Sequence, residues 1–75
     1  MTYNGHKNRT HWNVALWISN DEGLYRLAKD QIRRSRTLDI AAARILEDLH
    51  DIGITHTPDG ARYSKTAIRN AIKEL

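Results

Sequence analysis

Apolar residues along this chain recur mostly at helical spacing, in runs separated by polar punctuation. Residues 1–9 are polar, carry the turn signal Asn4-Gly5 and the charges Lys7 and Arg9, and predict a flexible arm. With Thr10 as N-cap, a short first helix is expected over residues 11–19. It is dense in apolar side chains, Trp12, Val14, Ala15, Leu16, Trp17 and Ile18, until Ser19-Asn20-Asp21 breaks it. A second helix is expected over residues 21–36, opening on Asp21 and Glu22 at its positive dipole end and closing on Arg33, Arg34 and Arg36 at its negative end. Leu24, Leu27, Ala28 and Ile32 share one of its faces, and Gly23 weakens its start by about 1 kcal/mol, so its boundary can fall after that glycine.

The third helix has the fullest set of signals. Thr37 is placed to cap it, Leu38, Ala41, Ala42, Ile45, Leu46 and Leu49 form its apolar stripe, and Gly53 sits where a left-handed cap belongs, with Ile54 to close it. Thr57-Pro58-Asp59-Gly60 is a strong turn, and the flanking Thr55-His56 and Ala61-Arg62-Tyr63 can pair as a tiny hairpin. Ser64 then caps a last helix with Ala67, Ile68, Ala71, Ile72 and Leu75 on one face, a stripe whose last member is the last residue and so predicts a natural terminus. The fold class expected is mainly α. It is a compact three- or four-helix bundle with a short turn or mini-hairpin before the last helix, forming one domain over residues 10–75.

Size sharpens this picture. At 75 residues the chain is near the lower limit for a self-sufficient core, and with no cysteine it has no disulfide to help, so stability must come from helix packing or oligomerisation. The segment containing both tryptophans is too short to span a membrane, and no signal-peptide run follows Met1, which predicts a cytoplasmic protein without membrane contact. The formal charge of +3 is mild and decides nothing about nucleic acid.

Three groups stand out as candidate binding residues. Trp12 and Trp17 lie about 140° apart on a helix, so the segment is either the central helix of the fold, wrapped by the other three, or an exposed aromatic patch that binds a partner or a second copy of the chain. Arg26, Lys29, Arg33, Arg34 and Arg36 make the second helix basic; they either follow an acidic or phosphate surface or compensate the dipole and pair as Arg26 to Asp30 and Asp30 to Arg34. Glu47, Asp48 and Asp51 crowd the end of the third helix, where the dipole disfavours them, and pairing with the basic second helix is the expected relief. Histidines 6, 11, 50 and 56 lack metal-ligand spacing. No serine lies in a nucleophile elbow, and no glycine-rich phosphate loop or catalytic carboxylate pair is present, so neither catalysis, a metal nor a cofactor is expected.

Two resemblances add to this. Tyr3-Asn4-Gly5, Asn8, Trp12-Asn13-Val14-Ala15-Leu16-Trp17-Ile18 and Asn20-Asp21-Glu22-Gly23-Leu24-Tyr25 resemble a family of small proteins found mainly in phages and other mobile elements. Leu49, Gly53-Ile54, Thr57-Pro58-Asp59-Gly60, Tyr63-Ser64 and Ala67-Ile68-Arg69 resemble the helix, glycine turn, Gly-x-x-aromatic-Ser, helix segment of the large serine recombinases, with Tyr63 where that pattern usually has tryptophan. The second resemblance implies a helix-turn-helix-like unit in which Arg62, Lys65, Thr66, Arg69, Asn70 and Lys73 would meet DNA.

The expected function is therefore binding without catalysis. The first expectation is a phage or mobile-element protein that docks on a host protein or nucleoprotein complex through Trp12, Trp17 and the two charged groups, in an anti-CRISPR or antirestriction role implied by genetic setting alone. The alternatives are a small DNA-binding regulator and a structural homodimer closed around the first helix.

Overall fold

The structure, a computed structural model, describes residues 8–75. Of the arm expected over residues 1–9, all but Asn8 and Arg9 lies outside the described residues; Asn8 caps the first helix and Arg9 opens it. Helix α1 spans Arg9–Asn20, capped by Asn8, whose extended backbone lets its side-chain oxygen accept from the His11 N–H at 2.9 Å. Asparagine outranks threonine as an N-cap, so the helix starts earlier than Thr10 suggests. Asp21 then closes α1 and opens α2, Glu22–Arg34: its N–H donates to the Trp17 carbonyl while its carboxylate accepts from Leu24 N–H. Gly23 lies inside α2, and a Cβ there would come within 3.3 Å of that capping carboxylate. The glycine weakens the helix locally and makes room for its cap.

Helix α2 stops at Arg34, short of the expected residue 36, because Ser35 and Thr37 both take up extended backbone. Thr37 uses that conformation to cap α3, Leu38–Asp51, accepting from Ile40 N–H at 3.1 Å. The far end of α3 is a Schellman motif: at φ +81°, Gly53 donates to the His50 carbonyl and Ile54 donates to the Leu49 carbonyl. Thr57–Gly60 then reverse the chain, with Gly60 at φ +91°, and one antiparallel bridge pairs His56 with Arg62. Ser64 caps α4, Lys65–Ile72, by accepting from Ala67 N–H.

The four helices described form a ring: α1 packs chiefly on α2 and α4, and α3 on α2 and α4. So α1 is one wall of the bundle, not a helix wrapped by the other three. Its i, i+4 pair Val14 and Ile18 enters the core. There it meets Ala41, Ala42, Ile45 and Leu49 of α3, Ala67, Ile68, Ala71 and Ile72 of α4, and Tyr63. Five helical alanines in this core allow close helix approach. Helix α2 contributes only Ala28 to the fully buried set and acts as a lid through half-buried Leu24, Leu27 and Ile32.

Candidate functional site

The neighbouring i, i+4 pair on α1, Asn13 and Trp17, faces the Thr57–Gly60 turn. Asn13 is 2% exposed and both polar atoms of its amide are bonded: its Nδ2 donates to Asp59 Oδ2 at 2.9 Å, and its Oδ1 accepts from Thr57 Oγ1 at 2.6 Å. Thr57 Oγ1 accepts in turn from Ala61 N–H, and the Trp17 indole N–H donates to the same Asp59 oxygen. These donors, above all Asn13 and then Trp17, hold the carboxyl of exposed Asp59 below its ordinary value, opposed by some desolvation and aided by the charge of Arg9. Among the partner-binding candidates, then, Trp17 spends its polar atom on the fold. Half-buried Trp12 and Trp17 do not form an exposed patch, and the large apolar side chains exposed among the described residues are Tyr25, Ile40 and Ile52.

The charged candidates are dispersed. Arg26 pairs with Glu22, not with the expected Asp30, because glutamate four residues before a cation is the favoured helical order. Asp30 instead receives Arg33 and, as expected, Arg34, each at 3.2 Å. Lys29 Nζ lies 5.8 Å from the Tyr25 ring centroid, a cation–π contact. Across the α2–α3 seam, Asp48 accepts from Gln31 Nε2 at 2.8 Å, so the relief expected from an arginine comes from an amide. Glu47 lines a shallow hollow with Arg34 and Arg44, and Asp51 is exposed.

The residues singled out on the last helix do converge. Helix α4 turns Ala67, Ile68, Ala71 and Ile72 inward, so Lys65, Arg69 and Lys73 make one i, i+4, i+8 row and Thr66 and Asn70 the next. These five, with His11 of α1 and Asp39 of α3, line a hollow of about 340 Å³. Arg69 Nε meets Asp39 Oδ1 there at 2.5 Å. Arg62 is exposed on the hairpin and stands outside the hollow. No acidic residue of α4 occupies its first turn, where Lys65 stands instead.

A second concavity, about 560 Å³, lies between the end of α1, the start of α2, the end of α3 and the turn. Trp17, Leu24, Leu27, Leu49, Ile52, Ile54 and Pro58 give it apolar walls, Tyr63 contributes, and Asp21 and His56 are its ionisable members besides that phenol. Burial, with the Asp21 carboxylate nearby, pushes the Tyr63 hydroxyl pKa up. This groove escapes sequence reasoning because four separate segments build it. Its one legible sign is Ile52, an isoleucine between a helix end and a cap glycine.

Among the described residues no cluster of histidine and carboxylate side chains could hold a metal ion, and no helix is long and apolar enough to cross a membrane. The whole chain, residues 1–75, matches the profile of a family of unknown function, DUF7249. The chain belongs to that family. No curated protein and no solved structure matches it.

Proposed function

We propose that this protein is a non-enzymatic DNA-binding module that engages a duplex through α4. The observation that carries this is the convergence of Lys65, Thr66, Arg69, Asn70 and Lys73 on one concave face, where Arg69 also meets Asp39, while the other charged candidates are scattered over the surface. Lysines at both ends of the row suit phosphates, and Arg69 and Asn70 have the fork geometry for base edges. The turn chemistry shared with large serine recombinases supports the same unit: Gly53, Gly60, Tyr63 and Ser64 respectively cap, turn, anchor and start the segment that presents α4.

Fluorescence anisotropy of a labelled duplex against salt tests this. The wild type should bind with a steep log-log salt dependence, and a Lys65→Ala/Arg69→Ala/Lys73→Ala variant should lose about 0.9 of slope for each phosphate contact removed. A folded triple variant with unchanged affinity and slope overturns the proposal.

Docking on a host macromolecular complex, as a phage or mobile-element protein acting in the bacterial cytoplasm, is supported by a different observation. Ile52, 69% exposed, is continuous with the apolar groove lined by Trp17, Leu24, Leu27, Leu49 and Ile54, and contiguous apolar surface of this kind marks interaction sites. Modulation of a host defence complex is the form this takes if the N-terminal resemblance to mobile-element proteins extends to role.

A further inference from the structure

The groove beside Trp17 carries a charge signature at odds with the rest of the molecule. Among the described residues no lysine or arginine lines this concavity, whose ionisable members besides Tyr63 are Asp21 and His56. Asp21, whose carboxylate caps α2 by accepting from Leu24 N–H, shares this lining with Tyr63. Asp59, kept ionised by Asn13 and Trp17, follows Pro58 at the turn side of the groove. An occupant must therefore bring apolar side chains to cover Leu24, Leu27 and Ile52 and a cation to meet the carboxylates; an acidic segment would be repelled.

We propose that this groove is the docking site for an amphipathic helical segment of a protein partner, with an apolar row flanked by lysine or arginine. This rests on the docking reading given above. Helix-in-groove recognition uses anchors at i, i+3, i+4 and i+7, and the groove is walled by helix ends on two sides. A second copy of this chain is a poor occupant, because among the described residues its large exposed apolar side chains are Tyr25 on α2 and Ile40 and Ile52 at opposite ends of α3, which form no such row.

The test uses two helical peptides with the same leucine pattern, one with lysine and one with glutamate at the polar positions, titrated into the full chain and followed by ¹⁵N–¹H shifts. The lysine peptide should move the amides of Gly23, Leu24, Ile52 and Ile54. Ile52→Ser should weaken it by about tenfold, the loss of one apolar anchor. Asp21→Asn, which keeps an oxygen to cap α2, should weaken it several-fold. Occupation of the groove by the glutamate peptide with equal strength overturns the cationic partner while leaving docking intact. If neither peptide moves the groove amides, or the lysine peptide moves only those around Glu47 and Asp51, both ideas fall. Concentration-dependent shifts of the groove amides without peptide would identify a second copy as the occupant and overturn the proposal.

Discussion

Trp17 and Asp59, 42 positions apart in sequence, are joined by a 2.9 Å hydrogen bond from the indole N–H to a carboxylate oxygen that Asn13 shares. This junction fastens α1 to the turn before α4, and its most buried member is Asn13. Asn13→Ala should cost about 1–3 kcal/mol, because the Thr57 hydroxyl loses its acceptor in a dry site. Urea denaturation measures this, and Asn13→Ala/Thr57→Val should be less destabilised than the sum of the single variants.

Asp59 gives the junction a pH dependence whose sign is fixed. Its carboxyl is held below the ordinary 3.8 in the folded chain, so the unfolded chain takes up the proton more readily. The contribution is complete above the ordinary carboxylate range and is lost as pH falls through the lower folded value. Acid titration followed by Trp17 fluorescence in a Trp12→Phe background should show that loss, and Asp59→Asn should flatten it. An unchanged acid limb in Asp59→Asn would assign the transition to other carboxylates.

Arg69 is held by Asp39 in the hollow on α4, so an internal carboxylate stands where a phosphate oxygen would. Asp39→Asn should tighten duplex binding several-fold, more than the remote charge removal Asp51→Asn does. Equal gains from the two would mean that only net charge matters.

Gly53→Ala places a side chain at φ +81° and should cost about 1–2 kcal/mol although there is open space for the methyl group. In a domain of this size that lowers Tm by roughly 4–8 °C per kcal/mol. Calorimetry checks it, and a neutral result would mean that the cap relaxes to another conformation.

The helices with local signals were legible in the sequence. Thr37, Gly53, Ile54 and Ser64 occupy the cap positions that their types predict, and the stripes of α3 and α4 are the core stripes. Competition between neighbours was harder to read: Asn8 displaced Thr10 as a cap, and Glu22 displaced Asp30 as the partner of Arg26. The junction of Asn13, Trp17, Thr57 and Asp59 was hidden because nothing local marks a pairing across so much chain. The apparent surplus of apolar surface on α1 had the same cause, since part of its cover comes from a turn and not from a helix. The α4 face was legible because helical periodicity alone puts its polar residues together.

The pairing of α1 with α4 also sets when the protein can fold. Of the described helices α1 is made before the others, yet its principal wall, α4, and the turn that satisfies Asn13 follow α2 and α3 in the chain. Until then Val14, Trp17 and Ile18 have only α2 to lean on, and isolated helices of this length are marginal in water. Closing the ring therefore requires contacts between elements distant in sequence, which by loop-closure entropy form more slowly than local ones.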